Sequence, residues 1–199
     1  MRTFIDELVD KVWEEQGSIS DIIFILPSKR AGTFLKQAIS KKAGKTIFAP
    51  VVYSIEEFVE RISGLTYATN TEQVFELYRA YLQTGSYDKE SFDTFLTWGE
   101  TLLQDFNEID RYLVDAKSLF SNLSAIQEIN HWSADSEKTT LIKNYLSFWE
   151  NILPIYQTFN KNLVRKGLGH QGLVYRQASV NLDQYLGTEL KTHIFLGFN

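Results

Sequence analysis

The sequence contains no cysteine, and among its 199 residues it holds only three prolines and three histidines. Without cysteine the chain can form neither disulfides nor thiolate metal sites, iron–sulfur ligation or a cysteine nucleophile. No apolar run approaches the roughly 18 residues that a membrane-spanning helix needs. The N-terminus mixes acidic with apolar residues, which differs from the basic-then-apolar order of a signal peptide. We therefore expect a soluble, cytoplasmic protein.

The composition favours a folded chain without a strong overall attraction to nucleic acid. Apolar residues make up 44% of the sequence and aromatic residues 14%, enough to bury a substantial core. The formal net charge is −5, so any contact with DNA must come from a local basic patch. We expect one compact domain, or one domain that carries a large insertion.

The first third of the chain has the pattern of alternating strands and helices. Residues 21–26 are apolar on both faces, which is typical of a buried parallel strand. A helix over 30–43 follows, ended by Gly44, and then a second strand over 46–52. Ser54 and Glu57 have the spacing of a capping box that begins a helix reaching residue 62.

From residue 65 to 167 helical periodicity dominates and no strand is predicted. Helices are expected near 71–84, 91–113 and 114–130, and a longer one carries an apolar stripe over 142–163. Pro154 predicts a kink or a split in that last helix.

The final segment predicts a helix over 175–186, stopped by Gly187, and a buried strand over 193–196. Because this strand lies so near Asn199, we expect the chain to be a fragment that continues. The sequence thus predicts an α/β fold with a parallel sheet, formed by residues 1–64 and 168–199. An all-helical insertion, residues 65–167, interrupts it.

A basic segment begins after the first strand. No acidic residue lies between Asp21 and Glu56, while this interval contains Lys29, Arg30, Lys36, Lys41, Lys42 and Lys45. Ser28 and the backbone amides after it would add hydrogen-bond donors at a helix N-terminus, so the segment could bind phosphate groups. The alternative is a solvated helix face that happens to be basic.

Other polar patterns favour structural roles. Gly44-Lys45-Thr46 resembles the end of a phosphate-binding loop, but it follows a helix, where such a loop precedes one. Asp105, Glu108 and Asp110 cannot converge on one helix face, so we expect a solvated acidic surface. His131, His170 and His193 lack the spacing of metal ligands, and the aromatic stripe from Tyr145 to Phe159 is expected in the core. We predict no cofactor or metal in this chain.

Four segments together carry a resemblance that spans nearly the whole chain. They are Ile-Phe-Ile-Leu-Pro-Ser-Lys-Arg-Ala-Gly (23–32), Val-Tyr-Ser-Ile-Glu-Glu-Phe (52–58), Phe-Leu-Thr-Trp-Gly-Glu-Thr-Leu-Leu-Gln-Asp-Phe-Asn-Glu-Ile-Asp-Arg-Tyr-Leu-Val-Asp (95–115) and His-Ile-Phe-Leu-Gly-Phe-Asn (193–199). The third is the most specific. The sequence resembles the N-terminal, helicase-like region of AddB/RexB-like proteins of the PD-(D/E)XK nuclease family, in the form found in Bacteroidetes.

The resemblance implies a RecA-like lobe, similar to the first lobe of a UvrD-type helicase, in a protein that processes DNA ends during double-strand break repair and recombination. In such lobes the segments after the first two strands contact single-stranded DNA, which maps onto Ser28, Lys29, Arg30, Tyr53 and Ser54. The chain departs from an active helicase because no Walker A motif precedes Asp21. Its last strand ends in Leu-Gly-Phe-Asn instead of the Asp-Glu that would serve magnesium.

The resemblance therefore implies an inactivated lobe that binds or guides DNA beside an AddA-like partner helicase subunit. The parent protein would be a subunit of an ATP-dependent exonuclease, and its Mg²⁺-dependent nuclease domain would lie outside these residues. The alternative function is a structural module that docks the partner helicase without touching DNA.

Overall fold

The computed structural model describes residues 3–16, 19–85, 89–132 and 140–198, and for 16, 125–132 and 140–149 it describes the backbone alone. The side chains of His131, Tyr145 and Trp149, on which some predictions rest, lie outside the described ones. The helices are α1 (Phe4–Gln16), α2 (Lys29–Ala43), α3 (Ile55–Ser63), α4 (Asn70–Gln83), α5 (Phe92–Arg111), α6 (Ala116–Trp132), α7 (Thr140–Arg165) and α8 (Gln171–Thr188). The strands are β1 (Ile22–Leu26), β2 (Val51–Ser54), β3 (Thr66–Tyr67), β4 (Leu168–Gly169) and β5 (Thr192–Phe195).

The chain packs as two compact units. The first, called the α/β unit, comprises residues 1–62 and 180–199, and the second, called the helical unit, comprises residues 63–179. The sequence places the two crossings between segments at 64–65 and 167–168, whereas the chain crosses between the compact units at 62–63 and 179–180. Helix α8 accordingly begins in the helical unit and ends in the α/β unit.

The α/β unit is built on a parallel sheet of three strands in the order β2-β1-β5. All five residues of β1 are buried, as its two-sided apolar pattern predicts, because both faces of the strand are covered. Helices α1 and α2 pack on one face around Phe24, Leu35 and Ile39. On the other face Phe58 of α3 contacts the rings of Tyr185 and His193. The mixed α/β class with a parallel sheet is therefore confirmed.

Two details of this sheet differ from the prediction. Strand β2 begins at Val51, and residues 46–50 form no regular strand. Pro50 accounts for part of this, because proline lacks the N–H that a strand ladder uses. Strand β5 is half-exposed where a buried strand is predicted, since it flanks β1 on one side and Phe195 remains largely in solvent.

The helical unit has an aromatic and aliphatic core. Helix α7 packs against α4 and α6, and α4 packs against α5. The fully buried side chains include Leu77, Phe95, Phe106, Phe159 and Leu163. The amphipathic spacing of α4, α5 and α7 places these residues on the inner helix faces.

The helical unit also contains a short strand pair that the sequence did not indicate. Strands β3 and β4 pair in parallel, with Thr66 opposite Leu168 and Tyr67 opposite Gly169. Strands of two residues produce no periodicity, and their partner lies about a hundred positions away in the chain. The prediction that residues 65–167 contain no strand is thus wrong at Thr66–Tyr67.

The predicted split of the long helix at Pro154 and the predicted helix end at Gly187 do not occur. Helix α7 continues through Pro154, and α8 continues through Gly187 to Thr188. Burial of Ile152, Ile155 and Phe159 on either side of the proline holds α7 in place, so tertiary packing offsets the lost hydrogen bond. Within the described ranges no helix is both long and apolar enough to cross a membrane.

Candidate functional site

Two helix N-termini lie side by side at the carboxyl edge of the parallel sheet. Strands β1 and β2 pair with Leu26 opposite Ser54, and each strand leads directly into a helix. Ser28 caps α2, its Oγ accepting a hydrogen bond from Ala31 N at 3.3 Å. Ser54 does the same for α3, accepting from Glu57 N at 3.2 Å. Helix N-termini attract anions through free N–H groups and the helix dipole.

The predicted capping box at the start of α3 is confirmed. Glu57 Oε2 accepts hydrogen bonds from Ser54 N at 2.9 Å and from Ser54 Oγ at 3.1 Å. Ser54 is only 3% exposed. The hydroxyl of Ser54 therefore caps α3 and is hardly accessible to a ligand.

Lys29 connects the two helices across the edge. Its Nζ lies 3.0 Å from Glu57 Oε1 in a solvent-exposed ion pair. The hydrogen bond and the charge of Glu57 raise the pKa of Lys29. The backbone hydrogen bond from Ser54 and the bond from Lys29 lower the pKa of Glu57. The sequence did not identify this acidic partner, which reduces the positive potential of Lys29.

The other predicted contact residues occupy distinct settings. Ser28 and Arg30 are exposed beside Lys29 at the start of α2. Tyr53 is half-buried, and the guanidinium of Arg61 lies 5.8 Å from the centre of its ring. The structure thus gathers Ser28, Lys29 and Arg30 on one open surface, and places Tyr53 and Ser54 more deeply behind it.

The basic segment divides between the two ends of α2. Lys29 and Arg30 lie at the sheet edge, whereas Lys41 and Lys42 lie in the last turn. A helix of this length separates the two groups by roughly 20 Å. Lys42 forms an ion pair with Asp10 of α1. Of the basic residues in the predicted segment, Lys29 and Arg30 are therefore the two that lie at the sheet edge.

Aromatic side chains that the sequence did not single out reach the same sheet edge. Phe195, at the end of β5, and Phe198 are both exposed, with ring centres 6.1 Å apart. Gly197 between them adopts a left-handed φ of 73° and lies against Pro27, which directly precedes Ser28. The sequence predicts a buried strand over 193–196 and gives no sign of these exposed rings.

The Gly44-Lys45-Thr46 tripeptide does not have phosphate-loop geometry. Gly44 adopts a left-handed φ of 60° and ends α2, with its N–H donating to Ser40 O. The residues after it lead to β2, so no helix begins at this tripeptide.

The prediction that Asp105, Glu108 and Asp110 share a solvated surface is wrong for Asp110. Asp110 is fully buried in the helical unit. Its carboxylate accepts hydrogen bonds from the hydroxyl of Tyr156, from Asn160 Nδ2 at 2.9 Å and from Arg176 Nε at 2.6 Å. His170 Nε2 lies 3.2 Å from Oδ2 of the same carboxylate. Asp110 therefore lies at the centre of a paired polar network.

The hydrogen bonds around Asp110 determine how it ionises. Burial by itself would raise the pKa of Asp110, but the hydrogen bonds from His170, Tyr156 and Asn160 outweigh it and hold that pKa below its ordinary value. His170 Nδ1 lies 3.2 Å from Leu173 N and 3.3 Å from Asn107 Oδ1. Among the described residues, Tyr156, Asn160 and Arg176 all donate to the carboxylate, which indicates a structural role for the network.

Among the residues that the structure describes, no three histidine, aspartate or glutamate side chains converge as a metal-binding group. Comparison of the sequence with protein-family models and with curated proteins finds no match in either.

Proposed function

We propose that the α/β unit is a RecA-like, inactivated helicase-type lobe that binds the backbone of single-stranded DNA at the carboxyl edge of its sheet. The observation that carries this proposal is the adjacency of two serine-capped helix N-termini with exposed Lys29 and Arg30. Amides and cations at such an edge can bind phosphate groups. The resemblance to AddB/RexB-like proteins supports a role in DNA-end processing, beside a partner helicase subunit and a nuclease domain.

Replacing Lys29 and Arg30 together with alanine should weaken binding of single-stranded DNA. We expect the affinity for single-stranded DNA to fall on the order of tenfold at low salt. The negative slope of log affinity against log salt should become shallower by about 1.4, because two phosphate contacts are lost. The measurement is fluorescence anisotropy of a labelled oligothymidine across a salt series.

The matched control is the Lys41→Ala/Lys45→Ala variant, which removes the same charge roughly 20 Å from the sheet edge, a separation beyond the Debye length of about 10 Å at 0.1 M salt, where the two variants are compared. It should retain most of the wild-type affinity. Equal losses in the two variants would indicate non-specific attraction, and no binding by wild type at low salt would contradict the proposal.

Substitution of Glu57 by glutamine should strengthen DNA binding. Glutamine can keep the capping box with Ser54. It breaks the ion pair with Lys29 and removes a negative charge next to the surface on which the DNA phosphates are proposed to bind. We expect an increase of about two- to fivefold in affinity at low salt. The control is Glu14→Gln, an exposed change of the same kind on α1. An unchanged or lower DNA affinity of Glu57→Gln would argue against binding of DNA phosphates beside Lys29.

A second candidate function is a docking module that touches no DNA. It is favoured by the acidic first turn of α3, where Glu56 and Glu57 lie beside Lys29 and would repel phosphates. Under this proposal none of the substitutions at the sheet edge changes DNA affinity, so the same titrations distinguish the two functions.

A further inference from the structure

The helical unit has an open apolar groove that is independent of the sheet edge. It is called the α5–α6 groove below, has a volume of about 340 Å³, and its floor is formed by Leu102, Ile109, Phe120 and Ile152. Asp105 and Glu108 line it on the α5 side. A groove with an apolar floor and charge of one sign on its rim is typical of sites that receive an amphipathic helix.

The two carboxylates at the rim lack a positive partner in the part of the chain that the structure describes. Burial, and to a smaller extent the charge of Glu108, raise the pKa of Asp105, so its negative charge is less well stabilised than that of a free carboxylate. A cation placed beside the two groups would relieve this repulsion. Nucleic acid would add to it, so the charge favours a basic occupant.

A strained turn presents further apolar surface beside the groove. After α5, Tyr112 is 69% exposed and Leu113 is 50% exposed. Leu113 adopts a left-handed φ of 55°, which costs energy for a residue with a branched side chain. The turn is held by Arg176 Nη2, which donates to the carbonyls of Ile109 at 2.9 Å and Val114 at 2.7 Å. A rigid turn therefore presents apolar side chains to solvent.

We propose that the α5–α6 groove and the adjoining Tyr112–Leu113–Val114 turn form a docking surface for a basic amphipathic helix of a partner protein. The apolar stripe of that helix lies on the groove floor and against Leu113, and its lysine or arginine side chains pair with Asp105 and Glu108. This inference does not rest on DNA binding by the α/β unit.

The test uses the full 199-residue chain and two labelled synthetic helical peptides of equal length, one of leucine and lysine and the other of leucine and glutamate. The leucine–lysine peptide should bind at least about tenfold more tightly than its acidic counterpart. The Asp105→Asn/Glu108→Gln variant should lose that preference. Asp93→Asn/Glu100→Gln, which removes the same charge from exposed positions elsewhere on α5, should keep it.

A second variant separates docking from folding. Leu113→Gly removes the exposed side chain and relieves the left-handed strain, so it should lower affinity for the leucine–lysine peptide about tenfold while the urea midpoint stays the same or rises. Equal binding of the two peptides, or full binding by the Asp105→Asn/Glu108→Gln variant, would overturn the proposal. Wild-type affinity in Leu113→Gly would overturn the part of it that concerns the turn.

Discussion

Asp110→Asn should destabilise the protein by about 2–4 kcal/mol, because it removes the buried carboxylate to which the partly exposed guanidinium of Arg176 and the hydroxyl of Tyr156 both donate. The carboxylate accepts from Tyr156, Asn160 and Arg176 at once, whereas an amide offers one acceptor oxygen and two donors. A loss of this size is a large part of the roughly 5–15 kcal/mol that holds a typical domain folded. The measurement is urea unfolding followed by circular dichroism.

The control is Asp93→Asn, the same substitution at an exposed position in the first turn of the same helix. It should change the free energy of unfolding by no more than about 0.5 kcal/mol. Similar midpoints for Asp110→Asn and the wild type would show that the buried network contributes little to stability.

The pH dependence of stability follows from the lowered pKa of Asp110. A carboxyl whose pKa is lower in the folded state binds fewer protons there than in the unfolded chain. The stability that ionised Asp110 contributes is therefore fully present above its unfolded-state pKa of about 3.9. This stability is lost as the pH falls through the pKa that Asp110 has in the folded state. Wild type should lose stability below about pH 4, and Asp110→Asn should lose less over the same interval. Parallel profiles would contradict this assignment.

Gly172→Ala should destabilise the protein by about 1–3 kcal/mol or more, although alanine normally favours a helix. A methyl group on Gly172 would lie 2.1 Å from Asn107 O and 2.7 Å from Arg111 N, both backbone atoms of α5. Neither can move aside as a flexible side chain could. Alanine there would force α8 away from α5, so the melting temperature should fall.

Gly187 on the same helix provides the matched control. A methyl group there meets nothing within 4 Å. Gly187→Ala should therefore be neutral or stabilise by up to about 0.5–1 kcal/mol, because alanine restricts the unfolded chain and favours the helix. Thermal unfolding monitored by circular dichroism compares the two variants. A similar small effect of both substitutions would contradict the close packing of α8 on α5.

Local patterns predicted several elements accurately. The two-sided apolar run of β1, the helix of α2 ended by Gly44 and the capping box of Ser54 with Glu57 all occur where the sequence places them. Each depends on residues no more than four positions apart, or on the burial of one short run. The long helix is not split at Pro154, because buried residues on both sides of the proline hold it in place. Helix α8 extends one residue past Gly187, and no contact among the described residues explains this.

The sequence contains a signal for the burial of Asp110. Asp110 lies four residues after Phe106 and seven after Leu103, both buried, so helical spacing places it on the inner face of α5. The sequence does not identify its partners, because they lie on α7, on α8 and at His170 just before α8.

The sequence by itself determined most of the helices, the buried central strand and the basic character of the segment after it. The tertiary structure decided that Lys29 pairs with Glu57, that β3 pairs with β4 and that Asp110 meets Tyr156 and Arg176. The physical reason is range. Capping and periodicity act within one or two turns, whereas the bonds from Asp110 to Tyr156 and Arg176 join residues 46 and 66 positions apart, which only the packing of whole helices brings together.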